Sequence, residues 1–110
     1  MKEILDKANE LGLMLRSTEA FREFNNIKET IDGDDAASGA LAEYNAAAEA
    51  IQQKQQSGIE IESYEQEQFR ELTQKVIANP MLKDYLIKRD KYMGLLMMIH
   101  EAMEPGRDEE

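Results

Sequence analysis

A long apolar pattern that begins after Asn79-Pro80 constrains the fold of this chain most strongly. Asn in front of a helix can accept a hydrogen bond from one of the first helical N–H groups. Pro fits the first turn because its missing donor would be unpaired there anyway. From this point apolar residues recur in alternating steps of three and four, so that they share one side of a long helix. The pattern predicts a helix from Pro80 to about Met103 that packs against other helices.

The composition favours helices throughout the chain. Apolar residues make up 42% of the 110 residues but aromatic residues only 6%, with no Trp, so the core must consist largely of Leu, Ile, Met and Ala. These residue types favour helices. We therefore predict an all-α fold, an antiparallel bundle of about five helices with long coiled-coil-like members. The length predicts one helical domain over residues 1–104, followed by a disordered acidic tail over residues 105–110.

Four further helices are predicted before Asn79. The expected order is a first helix over about residues 2–15, a second from Glu19 to Ile31, a third over about residues 36–56 and a fourth that ends at Asn79-Pro80. Gly58 is the expected C-cap residue of the third helix, because glycine tolerates positive φ. Ser63 and Gln66 are expected to form a capping box for the fourth. The short linkers favour antiparallel neighbours.

Charge and cysteine content exclude several classes of function. The chain carries 23 acidic and 13 basic side chains, a formal charge of -10, which repels phosphate backbones and anionic lipids. We therefore expect no direct binding of nucleic acid. The absence of cysteine excludes disulfides, thiolate catalysis and Cys-based metal sites. No stretch approaches the roughly 20 apolar residues of a membrane span, and no secretory signal is apparent. We expect a cytoplasmic protein without membrane insertion.

The residues that could carry chemistry do not form a recognisable catalytic or metal-binding set. His100 is the only histidine, so neither a triad nor a di-iron site can be assembled around it, and a packed or interface role is expected. Asp32-Gly33-Asp34 with Glu43 resembles part of an EF-hand loop. However, Ala36 and Ala37 occupy the positions that require an oxygen donor and a glycine. The sequence therefore predicts a non-enzymatic protein with no catalytic residue, no metal and no cofactor.

The apolar sector of the last helix is wider than one partner helix needs, because apolar residues also lie beside the main stripe. Methionine side chains are flexible and suit an adaptable binding surface, although they fill gaps in cores equally well. We predict a homo-oligomer with further protein partners, because the shorter helices cannot cover this sector. The predicted partner or oligomer interface consists of Leu82, Tyr85, Leu86, Arg89, Tyr92, Met93, Leu96, Met97, Ile99 and His100.

Several segments occur in a recognisable order along the chain. They are Ser17–Phe24, the turn Asp32-Gly33-Asp34, the stretch Gln52–Gly58 and the stretch Ile77–Tyr85. This order, over about residues 2–103, resembles the YlbF/YmcA family of small helical bacterial proteins, including its YheA-like branch.

The resemblance implies a cytoplasmic, non-enzymatic regulator that works through protein partners. Studied members are linked to competence, sporulation and biofilm control, in a complex that affects messenger RNA processing by a membrane-bound ribonuclease. Some members carry cysteines implicated in iron–sulfur cluster binding. This chain has none, so that cofactor is not carried over. A small helical ligand-binding or enzymatic bundle remains the alternative.

Overall fold

The computed structural model describes residues 1–105, which form five α-helices and no strand. The helices are α1 (Lys2–Arg16), α2 (Glu19–Asp32), α3 (Asp35–Gln56), α4 (Ser63–Ala78) and α5 (Pro80–Met103). The all-α fold class predicted from the sequence is confirmed. Of the predicted acidic tail, residues 106–110 lie outside the described residues.

The described chain divides into two compact units, with boundaries inside α2 and α5. We call residues 29–84 the hairpin unit. Residues 1–28 together with the described residues from Tyr85 onward form the terminal unit. Each unit is described by itself.

The hairpin unit is built on the packing of α3 against α4. The rings of Tyr44 and Phe69 stack with their centroids 5.4 Å apart. Closer to the α3–α4 connection, the Lys54 ammonium lies 2.6 Å from both carboxylate oxygens of Glu65. Later residues of α3 therefore meet earlier residues of α4. The two helices are antiparallel, as their short linker predicts.

The C-cap of α3 is Ser57 and not, as predicted, Gly58, which follows it and has the positive φ expected of a glycine that ends a helix. The φ of Gly58 is +72°, a conformation that costs glycine little because it has no Cβ. The Ile59 N–H donates to the Lys54 carbonyl at 2.8 Å, and the Gly58 N–H donates to the Gln55 carbonyl at 3.3 Å. These two bonds form a Schellman motif, which satisfies carbonyls that the helix itself leaves unpaired.

The start of α4 differs from the prediction. Ser63 is the first residue of the helix and not its N-cap, which is Glu62. The Glu62 N–H donates to the Glu65 carboxylate at 3.1 Å. The side chain that caps this N–H therefore comes from Glu65 and not, as predicted, from Gln66. The physical reason is a tertiary contact, because Lys54 from α3 holds the same Glu65 carboxylate.

The start of α5 agrees with the prediction. The side-chain oxygen of Asn79 accepts hydrogen bonds from the N–H groups of Met81 at 3.0 Å and Leu82 at 3.4 Å. Pro80 is the first helical residue. The local sequence is sufficient here because an N-cap needs only the residues next to it.

Few side chains of the described residues are fully buried. In the hairpin unit they are Ile31, Ala37, Val76 and Leu82, each at most 2% exposed. In the terminal unit, Tyr85 is the most buried of the described residues, with 8% of its surface exposed. Large apolar side chains are therefore left on the surface of the chain.

Leu82→Ala should lower the free energy of unfolding by about 2–5 kcal/mol, because it removes a fully buried side chain and leaves a cavity. Ile87→Ala is the matched control on the same helix, since Ile87 is 55% exposed. Its effect should stay within about 0.5 kcal/mol. Urea denaturation followed by circular dichroism measures both changes. An equal decrease in the free energy of unfolding for the two variants would contradict the position of Leu82 in the core.

The pair Lys54–Glu65 predicts a dependence of stability on pH. Its hydrogen bond is the main reason that the pKa of Glu65 is lowered and that of Lys54 is raised. The contribution of Glu65 to stability is present above its ordinary pKa of 4.5 and is lost as the pH falls through its lowered pKa in the folded protein. The contribution of Lys54 to stability is present below its ordinary pKa of 10.5 and is lost as the pH rises through its raised pKa in the folded protein.

Glu65→Gln should therefore lower Tm at neutral pH and flatten the fall of Tm on acidification below pH 4.5. Glu67→Gln is the control, because Glu67 pairs with exposed Arg70 three residues away, and such surface pairs contribute little. Thermal melts over a pH series measure both variants. If Glu65→Gln melts with the wild-type pH profile, the pair has no stabilising role.

Candidate protein-interaction surface

The terminal unit is organised by aromatic contacts between α2 and α5. The Phe24 ring lies 5.5 Å from the Tyr85 ring and 5.6 Å from the Tyr92 ring, measured between centroids. Phe21 meets Tyr92 edge-on at 5.7 Å. Each such pair stabilises by about 0.5–1.5 kcal/mol beyond the burial of its area. The cluster therefore fixes which side of α5 faces α2.

An ion cluster accompanies these rings. The Lys88 ammonium lies 3.0 Å from one carboxylate oxygen of Glu23, and the Lys91 ammonium lies 3.8 Å from the other. The Lys88 contact is the main reason that the pKa of Glu23 is lowered from its ordinary value. Arg89 pairs with Asp90 at 3.1 Å. Three of the basic side chains of α5 thus have acidic partners within the chain.

The structure divides the ten predicted interface residues into three groups. Leu82 and Tyr85 are buried in the fold, and so they offer a partner little surface. Half-buried positions are Leu86, Arg89, Tyr92, Leu96 and Ile99. Exposed positions are Met93, Met97 and His100. That these residues contact a partner stays a prediction.

The outward-facing members of the predicted interface form a continuous strip on α5. Leu86, Met93, Met97 and His100 are separated by steps of seven, four and three residues, which places them on one side of α5. We call them the methionine stripe. Met93 is 54% exposed and Met97 64% exposed, although both are large and apolar. The stripe lies beside the residues that pack on α2, as the width of the apolar pattern predicts.

Gly94 lies inside α5, beside Met93. A glycine inside a helix often marks close approach of another helix. A Cβ added at Gly94 would meet no atom of the described chain within 4 Å. The described residues therefore show no close helix approach at this position.

A second apolar surface was not singled out from the sequence. An open groove of about 630 Å³ lies between α1 and the end of α5. Its apolar lining consists of Ile4, Ala8, Leu11, Gly12, Leu15 and Met103. We call it the α1 groove. The helical spacing of the α1 residues is visible in the sequence, but a helix that packs in the core shows the same spacing.

The described residues offer no assembled site for a metal ion. Within residues 1–105, no three His, Asp or Glu side chains lie close enough together to hold a metal ion. No helix in this range is long and apolar enough to cross a membrane. His100 lies exposed near the end of α5. The described residues thus define a small helical protein with two apolar surfaces in its terminal unit.

Comparison with known proteins identifies the family. Residues 4–105 match the family described as control of competence regulator ComK, YlbF/YmcA. UPF0342 proteins from the Streptococcus pyogenes strains MGAS10750, Manfredo and NZ131 are each 38% identical over 84 residues. The matched region covers 76% of this chain and 74% of each relative. The chain belongs to the YlbF/YmcA family, and the family description supports a regulatory role.

Proposed function

We propose that the protein is a non-catalytic cytoplasmic regulator, itself a homo-oligomer, that acts by binding protein partners through the methionine stripe. The process would be one of those with which the family is associated, namely RNA processing, competence, sporulation or biofilm control. The observation that carries the proposal is the exposure of Met93 and Met97 on a helix whose other side is occupied by α2. Membership of a family described as a regulator supports it.

The chemistry of the stripe favours a protein partner. Thioether side chains are flexible and polarisable, so that they adapt to an apolar helix face. Four basic side chains of α5 against three acidic ones make this helix nearly neutral in a strongly acidic chain. A partner can therefore approach α5 without the repulsion that the overall charge of -10 would cause elsewhere.

Met93→Glu tests the proposal in the full chain, purified through an affinity tag from its native host. A glutamate inside an apolar interface loses its water without gaining a partner, so retention of the bound proteins should fall by about tenfold or more. Because Met93 is 54% exposed, the thermal melt should remain cooperative and close to that of the wild type. Mass spectrometry of the bound proteins and circular dichroism measure the two outcomes.

Met98→Glu is the matched control. Met98 is 68% exposed on the same helix, five residues on and therefore about 140° around its axis. This variant should retain the partner like the wild type. Equal retention by all three proteins, or equal loss in both variants, would contradict the assignment of the stripe. A ribonuclease complex among the bound proteins would support a role in RNA processing.

A further inference from the structure

The methionines of this chain lie on its surface and not among its most buried side chains. The described side chains that are at most 2% exposed contain no sulfur; they are Ile31, Ala37, Val76 and Leu82. Six of the seven methionines are more than half exposed, namely Met1, Met14, Met93, Met97, Met98 and Met103. The seventh, Met81, is half-buried. A chemical change at the exposed thioethers would therefore leave the buried side chains in place.

Thioethers are the only oxidisable sulfur groups of the chain, because it contains no cysteine. Hydrogen peroxide transfers one oxygen atom to a thioether: an S–O bond forms, the O–O bond breaks, and the remaining oxygen leaves as water with both protons. The sulfur loses two electrons and the peroxide gains them. The product, methionine sulfoxide, is polar where the thioether was apolar, and methionine sulfoxide reductases reverse the change.

The position of each methionine on α5 decides what its sulfoxide changes. Met93 and Met97 are four residues apart, so their side chains are neighbours on the helix surface. They lie within the methionine stripe, between Leu86 and His100 along the helix. Two sulfoxides at these positions replace apolar surface by two strongly polar oxygens. An apolar face of a partner that covers them removes water from both oxygens and returns no hydrogen bond, which is costly.

We propose that Met93 and Met97 form a redox-sensitive modification site, at which oxidation to the sulfoxides blocks the binding of a protein partner to the methionine stripe. This inference rests on the proposed function, because it concerns the regulation of the same surface. Oxidation takes place in the free protein, in which Met93 is 54% and Met97 64% exposed. Because neither side chain belongs to the buried set, the protein loses its partner while it stays folded.

The double variant Met93→Leu/Met97→Leu tests this proposal, because leucine keeps the apolar volume of methionine but forms no sulfoxide. The tagged full chain is treated with hydrogen peroxide, freed of the oxidant and then presented to the proteins that co-purify with the untreated wild type. Oxidation of the wild type should lower the retention of these proteins by about tenfold or more. The leucine variant should retain them equally before and after treatment. Peptide mapping by mass spectrometry verifies the sulfoxides at Met93 and Met97, and circular dichroism verifies that the melt stays cooperative.

Met98→Leu/Met103→Leu is the matched control. It removes two thioethers of the same helix that are 68% and 62% exposed but lie about 100–120° around the axis from Met93 and Met97. This variant should lose its partners on oxidation as the wild type does. Incubation of the oxidised wild type with methionine sulfoxide reductases should restore retention.

A wild type that carries both sulfoxides and still retains its partners would overturn the proposal. So would an equal loss of retention in Met93→Leu/Met97→Leu after oxidation, or unfolding of the oxidised wild type. Met93→Glu separates the inference from the proposed function. If Met93→Glu releases the partners but the oxidised wild type does not, the proposed function stands and the inference is wrong. If Met93→Glu retains them, the partners bind elsewhere, and the proposed function and the inference both fail.

Discussion

The width of the apolar surface on α5 determines the organisation of the terminal unit. Phe21 and Phe24 of α2 cover one side of this helix, in contact with Tyr85 and Tyr92. The methionine stripe lies beyond the reach of these rings and remains largely exposed. Monomeric proteins rarely expose contiguous apolar surface without a use for it. The aromatic cluster fixes α2 on α5 and thereby leaves the stripe uncovered by α2.

Charge balance and exposed apolar side chains occur together on α1 and α5. Most of the large apolar side chains that are exposed lie on α1 and α5, and these helices are close to neutral, while the chain as a whole has a charge of -10. Like charges elsewhere disfavour wrong contacts, and apolar area supplies the attraction where charges balance. This distribution of charge supports the proposed binding of a protein partner through the methionine stripe.

Features that depend on neighbouring residues were predictable from the sequence, and features that depend on distant residues were not. Asn79 and Gly58 act within one turn of their helices, so their roles can be read locally. The predicted cap of α4 was wrong, because Lys54 of α3, eleven residues before Glu65, binds the Glu65 carboxylate that caps this helix. Similarly, the eight apolar members of the predicted interface could be recognised from the sequence, but the burial of Tyr85 and the exposure of Met93 depend on where α2 packs. The helical spacing of the apolar residues of α1 was visible in the sequence, whereas the open groove beside them follows only from the course of the chain in space.

We propose that the methionine stripe of α5 is covered by a protein partner. Hydrogen–deuterium exchange, measured by mass spectrometry for the protein alone and in the complex with its co-purified partner, tests this most directly in the unmodified protein. Amide exchange reports local opening, which is easiest for helices with few buried contacts. We predict that the partner slows exchange around Met93 and Met97 and leaves α3 and α4 unchanged, because the latter two pack on each other. Exchange in α5 that the partner does not change would contradict the proposal.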